Sequence, residues 1–224
     1  MMTGKLFVQA ILKFTSGVIL VGVLVFLPAG TLSYFNGWLF MGILFVPMFI
    51  AGLAMMAKNP KLLQSRLEAK EKQRDQDLVV KLSGLMFIAG FVVAGLNYRF
   101  DWHVLSKGVC IAAAVVFLIA YALYAEVLRE NTYLSRTIKV QEGQTVVDTG
   151  LYGIVRHPMY SVTVLLFLAM PLVLGSLLSF VIFLVYPFLI AKRIKGEEKL
   201  LKEELVGYRE YQQKVKYRLV PFLW

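Results

Sequence analysis

Long, nearly uninterrupted apolar blocks constrain this chain more than any other feature. They run from about Leu6 to Leu27, Gly37 to Ala57, Leu82 to Leu96, Gly108 to Leu128 and Pro158 to Ala191. A helix needs about 20 mostly apolar residues to cross about 30 Å of hydrocarbon at about 1.5 Å per residue. Several of the blocks meet that length. Hydrophobic residues make up 58% of the 224, above the share of a soluble domain, and they fall in blocks rather than amphipathic stripes. The expected fold is all-α: a polytopic integral membrane helical bundle of five to six transmembrane helices. The third block lies close to the lower length limit. The last is too long for one span and too short for two full ones with a loop. Pro171 and Gly175 near its middle predict a tight helical hairpin over 158–191. The charged, helix-prone stretch from Lys192 to Tyr217, ahead of Pro221, predicts a cytoplasmic tail helix.

The formal net charge of +10 first suggests nucleic acid as a partner. The positives sit beside the apolar blocks, however, as the positive-inside rule requires, and no nucleic-acid partner is expected. With the N-terminus inside, Lys5, the seven Lys/Arg of 58–81, the four of 129–156 and the nine of the tail place 21 on one side. Only Arg99 and Lys107 fall on the other, and Lys13 lies within the first span. This asymmetry places both termini in the cytoplasm and gives an even number of crossings. The first block is read as an uncleaved span, because no small-x-small cleavage site closely follows it. The 58–81 stretch is expected to be a helical or partly mobile cytoplasmic loop. The single Cys110 lies inside an apolar block and reads as a packing residue. No Cys/His spacing suggests a metal site.

Three cytoplasmic features could carry chemistry. In Gly150-Leu151-Tyr152-Gly153-Ile154-Val155-Arg156-His157-Pro158-Met159-Tyr160, Pro158 suits the first turn of a helix. Arg156 and His157 then sit at a helix N-terminus that can receive an anion, or they form an interfacial pair that snorkels and caps a span. In Arg193-Ile194-Lys195-Gly196-Glu197-Glu198, Arg193 and Glu197 stand at i and i+4 on one helical face. They are either a solvated local ion pair or groups for a charged ligand. The connector Ser135 to Thr149, with Gln141, Gln144, Thr145 and Asp148, is an ordinary loop or a flap over a ligand. In the tail, Leu200, Leu201, Leu205, Tyr208, Tyr211 and Val215 suit a helix that lies on the bilayer or caps the bundle.

Taken together, GLYGIVRHPMY, an apolar hairpin, RIKGEEKLL, YREYQQKV and LVPF, preceded by NTYLSRTIKVQEGQTVVDTG, resemble the isoprenylcysteine carboxyl methyltransferase family and its wider phospholipid methyltransferase-like group. The resemblance covers Asn131 to Trp224. It implies S-adenosylmethionine as cofactor and methyl transfer at the cytoplasmic membrane face. Carried over by motif position, Gln141, Gln144, Thr145, Val146, Val147, Tyr152, His157, Pro158, Met159, Tyr160 and Glu197 would line the cofactor pocket. Arg193 would face the acceptor, and Arg193, Glu197 and His157 would be the catalytic group. Gln144 stands where some relatives have His. The implied organisation is 1–128 as N-terminal transmembrane helices with the 58–81 loop, and 129–224 as the catalytic region.

The implied acceptor is lipid-like or prenylated, arrives from the bilayer among membrane lipids, and offers a carboxylate. A carboxylate is ionised at pH 7 and needs no base. An amine acceptor would need one, with Glu198 or His157 as candidates. The rival enzyme class is an NADPH-dependent membrane reductase of the sterol reductase type, which shares an RHPxY-like segment. Met159 before Tyr160, Ser161 after it and the Glu197-Glu198 pair favour the methyltransferase. A channel or transporter would place polar groups near midmembrane, where these spans are nearly free of charge. The implied location is a multi-pass protein of a bacterial or archaeal plasma membrane rather than the endoplasmic reticulum.

Overall fold

The computed structural model describes residues 2–67, 74–135, 137–138 and 140–224. These residues are almost entirely helical, without a named strand. Helices α1 (Met2–Ala29), α2 (Phe35–Lys58), α4 (Arg74–Phe100) and α5 (Lys107–Glu130) are each long and apolar enough to cross a bilayer. The short α3 (Pro60–Leu67) follows α2. The last apolar block folds as α6 (Pro158–Val173), α7 (Leu177–Phe183) and α8 (Tyr186–Glu204), and α9 (Tyr208–Lys214) follows. The fifth long apolar stretch is Leu177–Glu204. The chain is a multi-pass membrane protein.

The outer faces of these helices are greasy. Leu27, Phe35 and Phe188 are 73%, 73% and 76% exposed, which is costly in water and free in lipid. The interior is a packed aromatic core: Phe40, Phe91, Phe117 and Phe183 come from four different helices and bury together with Val25 and Ala94. Helix α6 packs along α5, and α1 along α4. Where α1 crosses α4 the backbones nearly touch at Gly95. A Cβ there would sit 2.5 Å from the Val25 carbonyl oxygen and 3.0 Å from the Ala29 nitrogen. Small residues at such crossings let membrane helices approach. Gly95→Ala is therefore expected to lower stability by about 1–3 kcal/mol, as overpacking does. A thermal unfolding midpoint in detergent equal to that of the parent would contradict this close crossing.

Two sequence expectations change, and the helical form expected over 58–81 is found in its described residues. The third span is not short: α4 has 27 residues, because hydropathy marks the lipid slab and not the helix ends. Its polar start is itself buried, with Gln76 only 2% exposed and pressed against Gly196 of α8. The charged loop over 58–81 is largely ordered helix, as α3 and the start of α4, while 68–73 lies outside the described residues. The tail does not run as one helix to Pro221. Helix α8 stops at Glu204, Gly207 takes a left-handed φ of 84°, and α9 ends at Lys214. A residue with a Cβ rarely adopts that φ, so the turn belongs to glycine.

The expected hairpin is present. Ser176 accepts the Ser179 N–H at 3.1 Å as the cap of α7. The Gly175 carbonyl accepts the Leu105 N–H at 2.9 Å, which ties this turn to the segment between α4 and α5. Cys110 is buried beside Asn36 at 3.3 Å.

Candidate active site

At the opposite end of the bundle from that turn, the connector between α5 and α6 meets α8 and α9. Apart from a 3-10 turn at Gly150–Gly153, it is irregular. Its backbone groups find local partners instead. Gln144 accepts the Gln141 N–H at 2.9 Å, the Gln141 amide donates to the Tyr133 carbonyl, and the Tyr133 hydroxyl donates to the Gly143 carbonyl at 3.0 Å. The Glu130 carboxylate, at the end of α5, accepts the Leu151 N–H at 3.0 and 3.2 Å. Asp148 pairs with Lys214 of α9 at 2.6 Å. Positions 136 and 139 of the connector lie outside the described residues.

Pro158 opens α6, as its missing N–H suits. It places Tyr160 one turn in, facing α8. Arg193 and Glu197 of α8 share a face and meet through that tyrosine. Arg193 Nε donates to the Tyr160 hydroxyl at 3.0 Å, and the hydroxyl donates to Glu197 Oε2 at 2.7 Å. The next residue points elsewhere. Glu198 is 2% exposed. It accepts Arg156 Nε at 2.7 Å and Arg218 Nε at 3.0 Å, and lies 3.4 Å from His157 Nε2. Arg156 in turn donates to the carbonyls of Val215 and Lys216, both at 2.7 Å. The backbone N–H groups of Arg156 and His157 donate to the carbonyls of Tyr217 and Arg218 at 2.8 and 2.9 Å. The C-terminal segment is thus strapped along the start of α6, with Glu198 as the buckle.

A second apolar cluster covers this layer: Leu201, Leu205, Tyr208, Tyr211 and Val215, with Val140 and Val146 from the connector. Tyr211 donates to the Tyr152 carbonyl at 2.7 Å. Between the connector and these helices lies a narrow cleft of about 90 Å³.

Gln144, Thr145, Val146, Val147, Tyr152, His157, Met159, Tyr160 and Glu197 all line the cleft. Three residues expected at the pocket do not. Gln141 pins the connector, Pro158 is buried at the helix start, and Arg193 stands behind Tyr160. Sequence reading placed Tyr208, Tyr211, Leu201 and Leu205 in the packing of the tail, yet they also form the cleft wall, facing Tyr133 and Ser135. The one sequence signal for them was the pair of tyrosines three apart on α9.

Two hydroxyls in the cleft lack a hydrogen bond of normal geometry among the described residues, Tyr152 Oη and Tyr208 Oη. Burial, and after it the carboxylates of Glu198 and Glu197, push the Tyr208 hydroxyl pKa up, and burial does the same at Tyr152. Both are therefore neutral hydroxyls; Asn131 stands beside the one at Tyr152, and Tyr208 keeps a position that an arriving polar ligand would satisfy.

A larger apolar cavity of about 420 Å³ lies among α1, α2, α3, α5 and α6. Phe14, Leu44, Met48, Phe117, Leu166 and Phe167 are among the residues that line it. It reaches toward the cleft where Arg66 of α3 contacts Met159 Sδ at 3.6 Å and donates to the Ser135 carbonyl at 3.3 Å.

Residues 109–203 match the model of the isoprenylcysteine carboxyl methyltransferase (ICMT) family. This segment belongs to that family. The ICMT segment starts in the first turn of α5 and ends in α8, so it contains the connector, Tyr160, Arg193 and both glutamates. It stops short of α9, whose tyrosines close the cleft. An ICMT-family segment inside a bundle of membrane-length helices supports a membrane methyltransferase.

Proposed function

We propose that the chain transfers a methyl group from S-adenosylmethionine to a lipid-like acceptor, either the carboxylate of a prenylated cysteine or an analogous amphiphile. The observation that carries this reading is the cleft itself. It gathers one carboxylate, one imidazole and the open Tyr208 hydroxyl against an apolar wall of Val146 and Val147, all beside an apolar cavity.

Bound there, the cofactor would supply an electrophilic methyl on a sulfonium, whose C–S bonding pair returns to sulfur as the acceptor bonds to carbon. The work left to the protein is alignment and exclusion of water. Glu197 offers a carboxylate to an ammonium group, held in place by Tyr160. Val146, Val147 and Tyr152 offer a flat apolar slot to a purine. His157 Nε2 lies 3.4 Å from Glu198 Oε1. The imidazole then gives a second N–H to a carboxylate when charged, and a lone pair to a proton when neutral. The 21-positive face predicted from the sequence puts the cleft on the cytoplasmic side.

Calorimetry on the purified protein in detergent tests this. S-adenosylmethionine should give a saturable heat, and NADPH none. Heat with NADPH and none with S-adenosylmethionine would reverse the reading in favour of a membrane reductase.

A further inference from the structure

We infer that Arg66, on the short helix α3, is the residue that seats the anionic head group of the acceptor, a role that the sequence resemblance gave to Arg193. The inference rests on the methyltransferase reading and names its acceptor site.

Arg193 is 8% exposed and lines neither the cofactor cleft nor the apolar cavity. Its Nε is committed to Tyr160. Arg66 stands at the seam between the two spaces. Its guanidinium lines the apolar cavity, while Ser135 and Met159, which it touches, line the cleft. Its remaining partner is Tyr124 of α5. One terminal nitrogen donates to that hydroxyl, and the guanidinium carbon lies 5.7 Å from the ring centroid.

Every one of those partners is neutral, and no carboxylate pairs with Arg66 among the described residues. Among the described residues the cavity wall contains no Asp or Glu, and Lys13 is its other charged side chain. Lys13 donates to the Leu67 carbonyl at the end of α3, and so anchors that helix to α1. A half-buried guanidinium whose described neighbours are apolar or neutral is an unbalanced charge. Its planar fork matches a carboxylate or phosphate oxygen pair. An amphiphile with its tail among Phe14, Met48 and Phe167 would bring its head to Arg66, next to Met159 of the cleft. Arg66 is on this account a positioning residue that selects for negative charge.

Equilibrium binding tests this in the full-length protein, with N-acetyl-S-farnesylcysteine, its uncharged methyl ester and hexadecyl phosphate as probes. The parent should bind at least one of the two anions ten-fold or more tighter than the ester. Preference for the carboxylate identifies a lipidated-peptide acceptor, and preference for the phosphate a phospholipid one. Arg66→Gln should reduce the preferred anion to the affinity of the ester and leave the heat with S-adenosylmethionine unchanged. Arg66→Lys should restore part of the preference. Equal binding of anion and ester by the parent overturns the inference without any variant, so a folding defect in Arg66→Gln does not protect it. An anion preference that survives Arg66→Gln and disappears in Arg193→Gln overturns it as well. S-adenosylmethionine heat without anion preference removes the Arg66 seat alone, whereas anion preference without that heat removes the donor reading and leaves the seat.

Discussion

Replacing Glu198 with alanine will destabilise the folded protein by about 3–5 kcal/mol, the range for removing one partner of a buried ion pair. The carboxylate faces two guanidinium groups and one imidazole, and it is only 2% exposed. Its loss leaves Arg156 buried at 7% exposure with backbone carbonyls as its remaining partners. Because Arg156 and His157 also hold the segment around Tyr217 and Arg218 through backbone hydrogen bonds, the C-terminal strap should loosen with it. Two measurements check this: the thermal midpoint in detergent, and the rate at which a protease cuts after Lys214 or Lys216. Glu198→Gln keeps the volume and one acceptor, so its loss should be smaller. Pairing Glu198→Leu with Arg156→Met should recover much of the stability, since apolar replacement of a whole buried pair is often neutral. A Glu198→Ala protein as stable as the parent, with an uncut tail, would rule out the buckle.

The fold was legible where one physical force acts alone. Lipid demands long apolar helices, so the blocks around Leu6–Leu27 and Gly108–Leu128 could be read directly, and α1 and α5 contain them. Prediction weakened where helices leave the slab. At Gln76 and again at Glu204–Gly207, burial against another helix and backbone conformation decide the outcome, and hydropathy records neither. The candidate site shows the same division. The i, i+4 face of Arg193 and Glu197 could be read from spacing, but the bridge through Tyr160 could not, since it joins residues 37 apart in sequence. Arg66 gave no signal at all: it is one basic residue in a charged stretch, and only the packing of α3 against α1 and α2 lets its side chain reach Tyr124 and Met159. Glu198 was visible only as a possible base for an amine acceptor. Its three partners, Arg156, His157 and Arg218, come from two segments 20 to 42 residues away.

Glu197→Gln should behave in the opposite way to its neighbour. Here the parent fold should persist, because Glu197 is half-buried and its one bonded partner among the described residues, Tyr160, can still donate to an amide oxygen. What disappears is the negative charge at the end of the cleft. A hydrogen bond to a charged group contributes about 1.5–3 kcal/mol, so affinity for S-adenosylmethionine should fall about 10- to 100-fold. Sinefungin, which keeps the ammonium and carboxylate ends but carries no transferable methyl, should lose the same factor, because the contact concerns binding and not chemistry. Titration calorimetry on parent and variant, with matched thermal midpoints as the folding control, reads both numbers. Undiminished affinity for both ligands would remove Glu197 from the cofactor site, leaving the ammonium to the open Tyr208 hydroxyl of the cleft. Two adjacent glutamates on one helix thus carry opposed expectations. A side chain at position 198 turns into the protein and meets two guanidinium groups and an imidazole, while one at 197 turns into the cleft and, among the described residues, accepts from the Tyr160 hydroxyl. At the wall of the cleft that carboxylate is the expected partner for the ammonium of the proposed cofactor.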